Sequence, residues 1–207
     1  MVRDGLAPAP HDQPVAMDDL PLVRRAQVAH EVVRRAPQHA RQVRGVVVHQ
    51  PAGDRVSVLV DQPDAFTPAS LAACGQVDLV IINNPHNPTG KVYSKEELGH
   101  LCAWAHERGV QVIVDESYEH LSFGQVHTSF ATLCDWRELG VVTIFSASQS
   151  YAMMGWRLGF ALAPKAIAEA MQTLQGPITA ATSHLAQVAT VAAFDCGPQR
   201  HMIDEYR

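Results

Sequence analysis

Lysine is scarce in this chain of 207 residues, which contains only Lys91, Lys95 and Lys165. The four cysteines lie far apart without a C-x-x-C pair, which argues against a disulfide framework and favours reduced thiols. No apolar run approaches the roughly 20 residues that a membrane-spanning helix needs, and the first residues lack the apolar segment of a signal peptide. We therefore expect a cytoplasmic protein that does not contact a membrane.

The overall composition is that of a globular protein, with 47% hydrophobic and 18% charged residues. The net charge of −5 gives no general affinity for nucleic acid. A basic helix face formed by Arg24, Arg25, Arg34 and Arg35 could contact nucleic acid, but a solvent-exposed face is the favoured interpretation. The histidines show no spacing typical of a zinc site, so we predict no metal centre and no nucleic-acid partner.

Residues 1–44 differ in character from the rest of the chain. Four prolines and little apolar periodicity predict an irregular segment at residues 1–21. Apolar residues at helical spacing between positions 22 and 33 predict a helix, which Pro37 should end. We therefore expect an irregular and helical N-terminal arm over residues 1–44, followed by a folded domain over residues 45–207.

Within that domain, short β-branched runs alternate with helical segments, which is typical of βαβ units and a parallel sheet. A helix should begin at Thr67-Pro68, and a second at Ser94, where Glu97 completes a capping box, with Gly109 as its end. Two later helices should be separated by Gly176-Pro177. The predicted strands are 46–48, 56–60, 79–82, 110–114, 141–145 and 160–163, and the later helices are 166–174 and 184–194. The sequence thus predicts an α/β fold with a mostly parallel sheet and helices on both faces.

Polar residues follow three of these strands, and ligands of open parallel sheets bind beyond the carboxyl ends of the strands. The first group is the loop 83–90, which two prolines stiffen. The second is the segment 115–118, where a carboxylate at a buried strand end needs a cation as its partner. The third is a predicted loop at 146–150, whose hydroxyls together with Arg157 suit a phosphate group.

These three groups carry a family resemblance. Residues 84–90 read N-P-H-N-P-T-G and residues 115–118 read D-E-S-Y. Residues 146–159 read S-A-S-Q-S-Y-A-M-M-G-W-R-L-G, which is similar to S-x-S-K-x-[FY]-x-M-x-G-x-R-[LI]-G in every element except the lysine. Together they resemble the class I/II pyridoxal-phosphate-dependent aminotransferases, which have fold type I. The match is dense from residue 81 to residue 163.

The resemblance implies a role for each matched residue toward pyridoxal phosphate. Asn87 and Tyr118 would bind the phenolic oxygen of the cofactor, and Asp115 would pair with the protonated ring nitrogen. The phosphate would be held by Ser146, Ser148 and Arg157. His86 lies inside the matched loop, where contact with the ring or substrate and a plain loop position are equally acceptable interpretations. Glu116 and Glu119 have no role in the match, and we expect them to be surface charges.

Gln149 occupies the position of the family's catalytic lysine, which forms the Schiff base with the cofactor and moves a proton at the substrate carbon. A glutamine amide is not nucleophilic and does not titrate, so it can do neither. No other lysine lies at an obvious replacement position. We therefore expect any cofactor binding to be weak and non-covalent.

The resemblance covers most of a large cofactor domain but neither the upstream phosphate loop nor the small C-terminal domain. It implies an enzyme of amino-acid metabolism that transfers an amino group between an amino acid and a 2-oxo acid, here a fragment made inactive or impaired by Gln149 and by truncation. The alternative is a non-catalytic descendant that binds cofactor or amino acid for regulation. A transcription regulator is a weaker third option, because residues 1–44 are short for a DNA-binding module. Family members form homodimers, and the missing segments argue against that assembly for this chain.

Overall fold

The computed structural model describes the backbone of residues 46–49 and 55–60, and both backbone and side chains of residues 66–206. The predicted arm at residues 1–44, including its helix, lies outside the described residues.

The strands of the described residues form one sheet of six, in which the spatial order from β1 to β6 is the order of the chain. The strands β2, β3, β4 and β5 pair in parallel, whereas β1 and β6 pair antiparallel at the two edges. The bounds are β1 (Val46–His49), β2 (Arg55–Val60), β3 (Leu79–Asn83), β4 (Gln111–Asp115), β5 (Val142–Ser146) and β6 (Gly159–Leu162). The predicted α/β fold with a mostly parallel sheet is confirmed.

The register of the parallel strands aligns their carboxyl ends. Asn83 of β3 lies opposite Asp115 of β4, which in turn lies opposite Ile144 of β5. Since β5 continues to Ser146, all three predicted groups of polar residues begin at the same edge of the sheet. The fold thereby gathers segments that are far apart in the sequence.

Seven α-helices connect or follow the strands in the described part of the chain. They are α1 (Pro68–Ala72), α2 (Lys95–Arg108), α3 (Trp136–Leu139), α4 (Ala147–Ser150), α5 (Lys165–Thr179), α6 (His184–Cys196) and α7 (Arg200–Glu205). The predicted caps are confirmed for α2, where Ser94 and Glu97 form a capping box and Gly109 ends the helix with a φ of 63°. None of the helices in the described residues is long and apolar enough to cross a membrane.

The main core lies between α2 and the central strands. The helix buries Leu98, Leu101, Trp104 and Ala105, which belong to one apolar cluster with buried residues of β3 and β4. Helical spacing predicts that Leu98, Leu101, Cys102 and Ala105 face inward. Three of these are buried, whereas Cys102 is only partly buried, and the buried Trp104 is not part of that prediction. The βαβ unit β3–α2–β4 therefore forms a firm base for the loops at its carboxyl end.

Two predicted boundaries were wrong. Residues 147–150 form the short helix α4 rather than a loop, because the Ser146 hydroxyl accepts a hydrogen bond from the Ser148 N–H and so caps a helical turn. Helix α5 does not stop at Gly176-Pro177 but continues to Thr179. Pro177 costs the helix one backbone hydrogen bond, yet the helical backbone persists for two further residues, and the chain turns away at Ala180, where φ is 60°.

Candidate functional site

The loop that follows β3 is fixed to the body of the domain by Asn84. Its side chain is fully buried, and Oδ1 accepts a hydrogen bond of 3.0 Å from the Tyr93 N–H. Its Nδ2 donates a longer bond of 3.4 Å to the carbonyl oxygen of Thr128. A buried amide that satisfies both of its ends holds the loop in one position, and this leaves the next asparagine, Asn87, exposed at the tip.

Three predicted site residues come together at the ends of β3 and β4. The Asn87 Nδ2 donates a hydrogen bond of 3.0 Å to the phenolic oxygen of Tyr118. Asn83 joins the two segments, since its Oδ1 accepts a hydrogen bond from the Asn87 N–H and its Nδ2 donates at 3.1 Å to the Asp115 carbonyl oxygen. Asn87, Asp115 and Tyr118 are thus linked through one short network, in which Asn83 was not predicted to take part.

The Asp115 carboxylate is held by its own chain. Its Oδ1 accepts hydrogen bonds from both the N–H and the hydroxyl of Ser117, with the N–H bond at 2.9 Å. Asp115 is partly buried, so one face of the carboxylate is fixed while the side chain still reaches the surface of the site. Ser117, like Asn83, has no predicted role in the sequence analysis.

The predicted phosphate-binding residues lie on the β5–α4 turn and on the segment that leads into β6. Ser148 is buried in the first turn of α4, directly beside the capping Ser146. Antiparallel pairing places Ser146 opposite Gly159, and the Ala147 N–H donates to the Leu158 carbonyl oxygen at 3.3 Å. This pairing returns the backbone of Arg157 to the neighbourhood of the serines.

The Arg157 side chain is exposed and bonds to its own segment of the chain. Its backbone is left-handed with a φ of 52°, and its guanidinium Nη1 donates a hydrogen bond of 2.8 Å to the Met154 carbonyl oxygen. In the described residues this bond goes to Met154 rather than to Ser146 or Ser148. The side chain is exposed, so it is free of the packing that would prevent a change of rotamer.

Gln149 presents an unsatisfied polar atom. Its Oε1 is buried and has no hydrogen-bond partner among the described residues. An unpaired buried acceptor costs about 1–3 kcal/mol, so native structures seldom keep one without a partner or a ligand. Gln149 belongs to α4 and directly follows the predicted phosphate-binding residue Ser148.

Lysines 91 and 165 have contacts of their own. Lys91 forms a salt bridge of 2.9 Å with Glu97, and Lys165 lies 3.7 Å from Glu169 on the exposed surface of α5. His86 likewise contacts its own loop, through a 2.7 Å hydrogen bond between Nδ1 and the Thr89 hydroxyl. In these contacts, the two lysines and His86 bind neighbours in their own segments and not the network of Asn87, Asp115 and Tyr118.

The expectation that Glu116 is a surface charge was wrong. Glu116 is fully buried, and its Oε1 accepts a hydrogen bond of 2.8 Å from the Phe130 N–H. Burial raises the pKa of this carboxyl to about 7, with a smaller contribution from the charge of Glu119. Alternation along β4 could have found it, since Val112, Val114 and Glu116 share one parity and all three are buried. Glu119 is also half-buried rather than a free surface charge, and burial raises its pKa.

The known proteins to which this chain is similar include several aminotransferases. Aspartate aminotransferase of Geobacillus stearothermophilus is 40% identical over 137 residues, which are 65% of this chain and 35% of that protein. Aspartate aminotransferase of Streptomyces avermitilis is 35% identical over 150 residues, covering 72% of this chain and 35% of the relative. The chain therefore spans about a third of the length of the curated relatives it matches.

Solved structures give the same result. Aspartate aminotransferase from Thermotoga maritima superimposes with a TM-score of 0.62 and 28% identity, over 67% of this chain and 37% of that one. N-Succinyldiaminopimelate aminotransferase from Mycobacterium tuberculosis gives a TM-score of 0.59 and 30% identity, over 65% and 36%. Residues 56–204 match the family described as aminotransferase class I and II, and this chain accordingly belongs to that family.

Proposed function

We propose that this chain forms the central part of a pyridoxal-phosphate site, and that it holds the cofactor without a covalent link. The observation that carries this proposal is the network in which Asn87 bonds Tyr118 while Asn83 ties Asn87 to Asp115. These polar groups come from two separate strand ends and converge at the edge of the sheet where ligands of such folds bind.

The residues present suit the chemistry of this cofactor. Asn87 and Tyr118 already share a hydrogen bond, so together they can bind one further oxygen, such as the phenolic oxygen of the ring. Asp115 has Oδ1 fixed by Ser117, which leaves Oδ2 as the atom to pair with a protonated ring nitrogen. When bound, pyridoxal phosphate supplies an electron-withdrawing ring, and a carboxylate at its nitrogen maintains the positive charge on which that property depends.

Phosphate binding requires one change of side-chain position. Ser146 and Ser148 lie in a single turn, and the backbone of Arg157 runs beside it. The arginine must exchange its bond to the Met154 carbonyl for a bond to a phosphate oxygen. Because a charged acceptor binds a guanidinium more strongly than a neutral carbonyl does, the exchange is favourable.

Gln149 determines what the site can do with its ligand. Its buried, unpaired Oε1 can accept a hydrogen bond from a bound ligand, but the amide cannot attach the cofactor or move a proton at a substrate atom. We therefore propose that amino transfer between an amino acid and a 2-oxo acid is the ancestral activity and that this chain is inactive or impaired in it. A non-catalytic role in binding cofactor or amino acid is the second candidate, and Gln149 is the observation that favours it.

Equilibrium dialysis with pyridoxal phosphate tests the proposal on the whole chain. The parent should bind one cofactor that dialysis removes. Asp115→Ala should weaken binding by about 10-fold to 100-fold, because a hydrogen bond to a charged group contributes about 1.5–3 kcal/mol. Glu107→Ala removes the same charge from an exposed position on α2 and should leave binding within about twofold of the parent.

Two results would overturn the proposal. If the folded parent binds no cofactor, the site does not exist in this chain. If Asp115→Ala and Glu107→Ala weaken binding equally, the ring does not sit at the end of β4.

A further inference from the structure

We propose that Glu116, Glu119 and His127 form a binding site for a divalent transition-metal ion such as Zn²⁺. Each residue offers one ligand atom, and these atoms all lie within 4.8 Å of one another. The cluster shares no residue with the network of Asn87, Asp115 and Tyr118, although Glu116 and Glu119 directly follow two of its members in the chain. The proposal does not depend on the binding of pyridoxal phosphate.

Two of the three ligand atoms have no partner of their own. Glu116 is completely buried, and its carboxyl interacts with the Phe130 N–H through Oε1 and with the Ser129 side chain. Its Oε2 has no hydrogen bond within the described residues. The Nε2 of His127 is also buried and unpartnered there. These two atoms face each other at 4.0 Å, which is too far for a hydrogen bond.

The unpaired atoms are costly unless something lies between them. A buried carboxylate oxygen and a buried ring nitrogen each lose their hydration when the chain folds, and each missing bond costs about 1–3 kcal/mol. A cation placed between Oε2 of Glu116 and Nε2 of His127 would satisfy both atoms at once. It would also neutralise Glu116, whose carboxylate is completely buried.

Glu119 supplies the third ligand, on the side of the cluster that is open to solvent. Its side chain is 27% exposed, and its Oε1 lies 3.7 Å from Nε2 of His120, which is 30% exposed. Carboxylate oxygen and imidazole nitrogen are both ligands that zinc accepts, and three protein ligands would leave a fourth position available to water. The Glu116 carboxylate is oriented by the Phe130 N–H, which donates to its Oε1 and leaves Oε2 turned toward His127.

Binding requires only a small contraction of the cluster. Zinc lies about 2.0–2.2 Å from nitrogen and oxygen ligands, so ligand atoms around it are separated by about 3.4 Å. Since the three atoms lie within 4.8 Å of one another, no separation must shorten by more than roughly 1.4 Å. Glu119 is partly exposed and can approach the other two by a change of rotamer. An ion held in this way would link residues 116–119, which follow β4, to the loop that contains His127.

The test uses the whole chain after treatment with a chelator, with ZnCl₂ as the titrant in calorimetry. We expect one tight site per chain and a rise in melting temperature when Zn²⁺ is added. Glu116→Gln and His127→Gln should each weaken this site by at least about 100-fold. Because the chain has eleven histidines, the control is His106→Gln combined with His184→Gln, two exposed positions outside the cluster, which should leave the tight site unchanged.

Cobalt provides a second readout and keeps the proposal testable if a buried variant fails to fold. The Co²⁺ form should show visible bands of nitrogen and oxygen ligation without a thiolate charge-transfer band, and Glu119→Gln, at a part-exposed position, should weaken the tight site by about 10-fold. Weak binding at several sites that none of the three cluster variants changes would overturn the proposal. So would a cobalt spectrum with a thiolate band, or loss of the tight site in the control pair.

Discussion

The side-chain amide of Asn87 lies 3.0 Å from the phenolic oxygen of Tyr118, although 31 residues separate them in the chain. The contact follows from the sheet. Because β3 and β4 pair in parallel with Asn83 opposite Asp115, the residues just beyond each strand end share one edge. The two motifs therefore meet as a consequence of strand register, and the bonds of Asn83 to both segments secure that meeting.

The first prediction concerns this pair. Tyr118→Phe and Asn87→Ala should each weaken binding of pyridoxal phosphate by about 2-fold to 12-fold, since a neutral hydrogen bond contributes about 0.5–1.5 kcal/mol. The double variant should lose less than the product of the two single effects, because the residues contact each other. Equilibrium dialysis measures all three, with Tyr206→Phe at an exposed position as the control. Strictly multiplicative effects, or an equal effect of Tyr206→Phe, would count against a shared ligand oxygen.

The second prediction concerns Gly159, which lies opposite Ser146 in the β5–β6 pairing. A Cβ at this position would lie 2.9 Å from the Phe145 carbonyl oxygen, so an alanine must push the two strands apart. We expect Gly159→Ala to lower the free energy of unfolding by about 1–3 kcal/mol and to weaken phosphate-dependent cofactor binding. Urea denaturation provides the stability measurement.

Gly99→Ala is the matched control for that substitution. Gly99 lies within α2 and has no atom within 4 Å of a Cβ position, so alanine should stabilise the helix by about 0.5–1 kcal/mol. If both alanine variants changed stability in the same direction, the close approach at Gly159 would not be the cause.

The third prediction is a pH dependence that arises at Glu116. Burial raises the pKa of its carboxyl from 4.5 to about 7, so the folded state binds this proton more tightly than the unfolded state. The resulting stabilisation is fully present below pH 4.5 and is lost as the pH rises through about 7. His127, Glu119 and Asp115 face or adjoin this group, so its effect must be isolated by comparing variants.

Glu116→Gln removes the titration and keeps an oxygen for the Phe130 N–H. In chelator-treated protein, its free energy of unfolding relative to the parent should improve by about 3 kcal/mol between pH 4 and pH 8. Glu138→Gln, at an exposed position on α3, should show no such trend. A difference between Glu116→Gln and the parent that stays constant over this range would contradict the pKa shift.

Sequence reasoning succeeded where a local signal decided the structure. The capping box at Ser94 predicts α2, the β-branched runs predict the strands, and the family resemblance predicts that Asn87 and Tyr118 lie side by side, as they do. It failed where the outcome depended on distant partners. Nothing local shows that Phe130 will donate to Glu116, or that Asn83 will join Asn87 to Asp115.

Two errors came from signals that were present but read too simply. The serines at residues 146–150 predict a loop, because their hydroxyls can bond to nearby backbone. The hydroxyl of Ser146 instead caps a helical turn, and α4 forms there. Glu116 has no role in the family match, which favours a surface position, although its parity with Val112 and Val114 places it on the buried side of the strand. In both cases the geometry of the backbone outweighed the polarity of the side chain.

The fourth prediction tests the central claim, that the cofactor site is formed and that Gln149 is its missing attachment point. Pyridoxal phosphate is added to the parent, to Gln149→Lys and to Gln125→Lys, a control that places a lysine in an exposed loop. Each sample is reduced with borohydride, and the labelled residue is located by mass spectrometry. A lysine held beside a bound cofactor has an effective concentration of about 10⁵ M or more, so position 149 should be labelled at once and completely. We predict one adduct, at position 149 of Gln149→Lys, and only slow surface labelling of the parent and of Gln125→Lys. Equal labelling of all three proteins would contradict this prediction, as would a stable adduct on a native lysine of the parent.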